Sequence, residues 1–306
     1  MKKNRLGSSD IYISELTLGC MSLGSDKQQA KEIIKAAIDT GINHLDTADL
    51  YDFGMNEALI GEIIKEYRQD IILTSKVGNH FNKETKDWYW DPSKEYILDA
   101  VKASLMRLKT DYIDFYMLHG GTIEDPIDET IEAFEQLKQE GLIRAYGISS
   151  IRPNVIREFV NKSSIDGVML QYSLLDRRPE EEVLSLLNEN KISALARGPL
   201  AKGILSNRHA LQIEKKGSEG FLDYNHDELV TTTKIISDLR DESLTMNALA
   251  LKYTQQHPAI ATAVFGASTI QQVRENTKFD HSKMLPIELY QQLQQITKKN
   301  TYSAHR

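Results

Sequence analysis

Asp46, Tyr51, Lys76 and His119 are the residues of this sequence best suited to placing a proton on a carbonyl oxygen. A phenol has a reference pKa of about 10, too high for an efficient acid near neutrality. A neighbouring ammonium favours the phenolate and lowers that value. Lys76 would do this for Tyr51, and Asp46 would pair with Lys76 and keep it charged. His119 would donate an N–H to the same oxygen and orient the substrate. General acid catalysis of this kind contributes roughly 10²–10⁴-fold. The set holds neither a nucleophile nor a metal site, so the electrons must come from a hydride donor, for which a nicotinamide is expected. Singly, each residue has a plainer reading: a solvated or paired strand-end charge, a core tyrosine, a satisfied histidine. Their joint placement carries the argument.

That placement depends on the elements around them. Asn43-His44-Leu45-Asp46-Thr47-Ala48-Asp49-Leu50-Tyr51 reads as the end of a buried strand running into a loop. Lys76 ends the apolar run from Ile71, and His119 ends the run from Ile113. Residues 5–16 alternate around a Gly7-Ser8-Ser9-Asp10 turn and predict a β-hairpin. From Leu16 onward, short apolar strands alternate with stretches of helical period. The strands are expected at 16–19, 42–46, 71–76, 113–119, 145–149, 167–171, 192–197 and 261–265. The helices following them are expected at 27–40, 56–68, 93–108, 127–140, 153–161, 179–190, 245–257 and 270–277. Strands that are apolar on both faces suit a parallel sheet. Eight βα units in about 250 residues predict an α/β fold, a (β/α)8 TIM barrel, as a single domain over 1–306. An open doubly wound sheet is the alternative, and it would more naturally carry a G-x-G-x-x-G fingerprint, which is absent.

Two long connections interrupt the rhythm, residues 78–91 and 202–241, and both follow strand C-termini on the active face of such a barrel. The second should hold an extra helix over 226–239, and a last helix is expected over 286–298. Trp88, Tyr89 and Trp90 would either line a substrate pocket or cap the barrel mouth. His80 and His226 are expected at the surface.

The net charge of −7, with acids and bases interspersed, gives no nucleic-acid footprint. The single cysteine excludes an intrachain disulfide, and no Cys/His cluster has metal-ligand spacing. The N-terminus lacks the apolar core of a secretory signal, and no apolar run approaches the roughly 20 residues of a membrane span. A reduced, cytoplasmic protein is the expectation, with no membrane partner and a small-molecule carbonyl substrate.

The segment Asp46-Thr47-Ala48-Asp49-Leu50-Tyr51, with Lys76 and Leu118-His119, resembles the Asp-Thr-Ala-x-x-Tyr segment and the remaining tetrad residues of the aldo-keto reductases. The resemblance covers nearly the whole chain and points to a bacterial member. It implies a (β/α)8 barrel that uses NADPH to reduce aldehydes and ketones, with the tyrosine as proton donor. It also implies the cofactor residues. Gly147-Ile148-Ser149-Ser150 resembles the family's Gly-Val-Ser-Asn, so Ser149 would bind the carboxamide, while Ser150 replaces the asparagine. Gln171 matches the other carboxamide ligand. Gly19, Cys20, Met21 and Asp46 would lie beside the cofactor.

Arg197-Gly198-Pro199-Leu200-Ala201-Lys202-Gly203 resembles the pyrophosphate-binding loop, in which Gly198, Pro199, Leu200, Lys202 and Gly203 would take part. Arg197 stands where the family usually has an aromatic ring on the nicotinamide. A planar guanidinium can also stack, and the other reading has it pointing elsewhere. Gly266-Ala267-Ser268 with Gln272, Glu275 and Asn276 matches the last cofactor segment. The helix start there would offer free N–H groups to a 2′-phosphate, Ser268 and Gln272 would contact it, and Glu275 and Asn276 would hold the adenine. Many members carry arginine at the Gln272 position, whereas Gln272 is uncharged, so NADPH is expected and NADH remains possible. This loop is also similar to that of the potassium-channel β subunits, so an NADPH-binding regulatory module with slow or no turnover is the competing reading. An isomerase or lyase would need a phosphate or metal site that the sequence does not offer.

Overall fold

The computed structural model describes residues 1–306. The chain enters through an antiparallel hairpin, β1 (Lys3–Arg5) and β2 (Tyr12–Ser14). Leu6, Ile11 and Ile13 from this hairpin are fully buried with Phe115, Met117, Ala145, Met169 and Leu195. The hairpin therefore plugs one end of the sheet behind it, and chemistry is left to the other end.

That sheet is a closed parallel barrel. Its strands are β3 (Leu16–Gly19), β4 (His44–Asp46) and β5 (Ile72–Val77). After a second hairpin, β6 (Asn79–Asn82) with β7 (Asp87–Trp90), come β8 (Ile113–Leu118), β9 (Ile143–Ser149), β10 (Gly167–Gln171), β11 (Ser193–Arg197) and β12 (Ile260–Gly266). Around the barrel the order is β3-β4-β5-β8-β9-β10-β11-β12, and β12 pairs back to β3. The eight-fold βα alternation is thus a (β/α)8 TIM barrel, as the sequence predicts. β9 and β10 approach too closely for any side chain at Gly147, where a Cβ would meet Gly167 O at 2.0 Å.

Helices cover the outside: α1 (Lys27–Asp39), α2 (Met55–Ile64), α3 (Lys94–Leu108), α4 (Ile127–Gln139), α5 (Pro153–Lys162) and α6 (Val183–Glu189). Then follow α7 (His209–Lys216), α8 (His226–Leu239), α9 (Met246–Gln255), α10 (Ile270–Thr277) and α11 (Ile287–Ile296). Side-chain caps start several of them. Asp26 accepts from Gln29 N at α1, Ser93 from Tyr96 N at α3, and Thr269 from Gln272 N at α10. Such caps satisfy N–H groups that a helix start leaves orphaned. On α1, Ala30, Ile33, Ile34 and Ala37 are buried at helical spacing, so one face packs on the barrel.

Two expected helices differ most from their predicted bounds. α2 ends at Ile64, not Arg68, because the Arg68 guanidinium turns inward, donates to Ile71 O and Tyr112 O and pairs with Asp114. The helix expected from Pro179 opens as a short 3-10 turn, Arg178–Glu180, where Arg177 pairs with Glu180 at 2.6 Å. The 78–91 connection, expected as a loop, is the β6–β7 hairpin. Trp90 anchors it, donating from Nε1 to Asp125 Oδ1 at 3.0 Å, with its ring where a Cβ on Gly78 or Gly120 would be. Trp88 and Tyr89 are exposed.

Candidate active site

β4 and β5 bring the first two groups together. Asp46 ends β4 and Lys76 lies near the end of β5, and the two strands are hydrogen-bonded neighbours. Lys76 Nζ donates to Asp46 Oδ1 at 2.6 Å and to Thr47 O at 2.8 Å. Both side chains are buried, Lys76 to 1% exposure. Burial alone would strip the lysine of its proton, but Asp46 and Tyr51 outweigh it and hold the ammonium above its ordinary pKa.

Tyr51 follows in the loop after β4. Its ring centre is 5.1 Å from Lys76 Nζ and 5.8 Å from the His119 ring, which it meets edge-on. Burial raises the phenol above its ordinary value, against the pull of Lys76. The sequence expectation named only the second of these forces. Asp52 and Phe53, directly after Tyr51, have φ of 49° and 52°, and Gly54 follows at 84°. Left-handed non-glycine residues cost about 1–3 kcal/mol each and persist only where their surroundings hold them. Here they turn the chain from Tyr51 into α2.

His119 lies just past β8, and its backbone N–H donates to Val77 O at 2.7 Å. Its Nδ1 is buried without a partner in the protein. Burial, with the charges of Lys76 and Arg197, pushes its pKa down to about 3. The ring is therefore neutral and offers one N–H. Together the four groups can polarise and protonate an oxygen.

Two residues that the sequence reading did not single out brace this corner. Thr47 Oγ1 donates to Asn56 Oδ1 at 2.6 Å, and Asn56 Nδ2 donates to Cys20 O at 2.9 Å. They tie the end of β3 to the loop bearing Tyr51. Cys20 itself is fully buried, its thiol pushed up by burial, with Sγ donating to Leu18 O. Gly19 pairs in register with Asp46 on one side and Gly266 on the other.

A cavity of about 480 Å³ opens beside the ends of β11 and β12. Met21, Gly198, Pro199, Leu200, Lys202 and Gly203 line one part of it, and Gly266, Ser268, Gln272, Glu275 and Asn276 another. Ser149, Gln171 and Arg197 end β9, β10 and β11, the strands leading from His119 round the rim to this cavity. Arg197 is exposed at the mouth, opposite Gln171 in register, and its charge reaches Tyr51 and Asp46. Ala267 is buried beneath the cavity-lining loop. At the start of α10, Ser268 N–H donates to Gln272 Oε1 at 2.7 Å, so this donor is already engaged by an uncharged side chain. Asn276 accepts from Asn247 Nδ2 at 2.6 Å.

The cavity also draws in Ser206, Arg208, Gln212, Lys216 and Asn247. All but Asn247 lie in the long 202–241 connection, on or beside α7. Arg208 stands 3.7 Å from Glu275, and Lys216 Nζ donates to Lys202 O at 3.3 Å. The basic residues of that connection were the available signal. The elongated cavity, its glycine walls and its cluster of Lys202, Arg208 and Lys216 suit a phosphate-bearing dinucleotide. Gly198 and Gly203 have φ of 70° and 92°, and a Cβ on Gly266 would come within 2.9 Å of Ser22 Oγ.

Comparison with known proteins identifies the family. The model of the Aldo/keto reductase family matches residues 15–298. The "Uncharacterized oxidoreductase YqkF" of Bacillus subtilis (strain 168) is 54% identical over 307 residues, covering 100% of both chains. The "NADH-specific methylglyoxal reductase" of Escherichia coli (strain K12) is 32% identical, over 90% of this chain and 92% of its own. Among solved structures, "aldo-keto reductase AKR11C1 from Bacillus halodurans (holo form)" superposes with a TM-score of 0.93 at 51% identity, over 100% of this chain and 99% of its own.

Proposed function

The chain belongs to the aldo/keto reductase family, which reduces carbonyl groups with a nicotinamide cofactor, and from that premise we propose that it reduces an aldehyde or ketone to the alcohol with NADPH, Tyr51 being the proton donor. The observation that carries this reading is the convergence of Tyr51, Lys76, Asp46 and His119 at one end of the barrel, with Lys76 paired to Asp46 at 2.6 Å and Tyr51 edge-on to His119.

When bound, the nicotinamide supplies the hydride. The chain's own groups do the rest. His119, neutral, donates its N–H to the carbonyl oxygen and fixes the substrate's orientation. Tyr51 hands its hydroxyl proton to that oxygen as negative charge builds there. Lys76, kept protonated by Asp46, stabilises the phenolate that Tyr51 becomes. Ser149 and Gln171 would hold the carboxamide, and Arg197 would cover the ring with its guanidinium plane. Gly198 to Gly203 would take the pyrophosphate. Ser268 and Gln272, with Arg208 close by, would take the adenosine end.

Cofactor choice follows from charge. Gln272 is neutral, so the cation facing a 2′-phosphate would have to be Arg208 or its lysine neighbours. We therefore expect NADPH to be preferred by a modest margin and NADH to be accepted. The E. coli relative described as NADH-specific makes the ratio worth measuring. The test is oxidation of each reduced cofactor with a panel of small aldehydes and dicarbonyls. Turnover with NADPH supports the reading, whereas tight NADPH binding with no turnover on any carbonyl supports a regulatory module instead.

A further inference from the structure

We propose that Asp49 is a positioning residue that works as a buried, protonated carboxylic acid, so that the Asp46–Tyr51 loop packs against β5 without a second carboxylate competing for the Lys76 ammonium. The inference rests on the roles proposed above for Tyr51 and Lys76. Asp49 lies midway between Asp46 and Tyr51 and is fully buried. Its backbone N–H donates to Lys76 O at 3.2 Å, so it fastens the loop directly to the strand that carries the lysine. No side chain bonds either oxygen of its carboxyl, and the one neighbouring donor is the backbone N–H of Leu50.

The neighbouring charges explain where the proton goes. Glu57, on α2, is equally buried, and it has what Asp49 lacks. It accepts from Ser75 Oγ at 2.5 Å and from Arg107 Nε at 2.7 Å. Arg107, on α3, also donates to Ser104 Oγ at 3.0 Å. The guanidinium thus pairs with Glu57 and makes no bond to Asp49. A buried charge without a countercharge is far more costly than a neutral acid, so the unpaired Asp49 carboxyl keeps its proton. Burial first, and then Glu57, push the Asp49 carboxyl well above the usual carboxylate range, while the Leu50 backbone N–H, Arg107 and Lys76 pull the other way. The other titratable groups that feel Asp49 are Tyr96 on α3 and Tyr116 on β8. The Tyr116 hydroxyl is buried and without a partner too. A neutral Asp49 leaves Asp46 as the carboxylate that holds Lys76. An ionised Asp49 would offer the ammonium a second one, away from Tyr51.

The test compares Asp49→Asn, which copies the shape of a neutral acid, with wild type across pH. A buried acid that stays protonated binds one more proton folded than unfolded, so its contribution to stability falls as pH rises. Asp49→Asn should therefore raise the thermal midpoint over wild type by an amount that grows as pH rises above the ordinary carboxyl value of about 4. It should also carry the alkaline limb of kcat/KM to higher pH. If Asp49→Asn lowers the midpoint, and more so at high pH, Asp49 is an ionised partner and the proposal is overturned. Because burial also raises Asp46 and Asp166, carboxyl carbon NMR titration is assigned by difference: a resonance still protonated at neutral pH in wild type and missing from Asp49→Asn supports the proposal, and an Asp49 resonance already ionised there overturns it. The midpoint and NMR readouts do not use turnover, so they separate this inference from a failure of the Tyr51 assignment.

Discussion

Lys76 donates to Asp46 at 2.6 Å from a site that is 1% exposed, so the ammonium that faces Tyr51 is held by a fully desolvated ion pair. Removing one member of such a pair leaves the other charged and buried, which typically costs about 3–5 kcal/mol. Lys76→Met is therefore expected to lose both stability and turnover. Thermal unfolding and steady-state kinetics read the two losses. Asp46→Asn, which leaves a neutral partner at the same place, should be the milder variant in the melt. Equal melting of Lys76→Met and wild type would mean that the pair is not ionised.

Acid sensitivity should come from buried imidazoles. His44 is fully buried, with Nδ1 bonded to Thr17 Oγ1 at 2.7 Å and Nε2 to Thr74 Oγ1 at 2.6 Å. Burial first, and then Lys76, bring its pKa down from 6.5 to about 3. His119 is shifted equally far. In each case the unfolded chain binds a proton that the folded chain refuses. Stability is thus fully present above 6.5 and is lost as pH falls from there towards about 3. The slope is about 1.4 kcal/mol per pH unit for each histidine. Denaturant unfolding of His44→Gln should show the slope reduced by that amount across this window, and an unchanged slope would remove His44 from the account.

At the adenosine end, the neutral Gln272 and the nearby Arg208 set the expected cofactor ratio. Gln272→Arg adds a cation next to Ser268 and should raise the preference for NADPH over NADH. A charge-assisted hydrogen bond is worth about 1.5–3 kcal/mol, so the shift should be about tenfold or more. Arg208→Ala should move the ratio the other way, while also freeing Glu275 from its 3.7 Å neighbour. Dissociation constants for both cofactors, measured by fluorescence titration, check each variant. If both substitutions scale NADPH and NADH equally, a 2′-phosphate is not read at this place.

The barrel was legible because each parallel strand is apolar on both faces and each helix repeats at its own period. Leu73, Leu118 and Leu195 are buried where a strand expectation needs them. The tetrad was legible for the same reason, since Asp46, Lys76 and His119 are the polar groups that stop those runs. The β6–β7 hairpin was not. Its four-residue strands mix Asn79 and Trp90, turned inward, with exposed Trp88 and Tyr89, and no clean alternation results. Helix α7 was missed because Ile213 is its one buried residue. The pairing of Asn56 with Thr47 and Cys20, and the enclosure of Asp49 and Glu57, arise from packing between elements distant in sequence. Polar residues carry no period that announces such burial.

The most direct measurement is the turnover of Tyr51→Phe against wild type, with NADPH and a panel of reactive aldehydes and dicarbonyls. The substitution removes one hydroxyl and leaves the ring against Lys76 and His119. Loss of the proton donor should lower kcat by roughly 10²–10⁴-fold, with the NADPH dissociation constant little changed. Near-full turnover in Tyr51→Phe would contradict the account, because the proton would then come from another group.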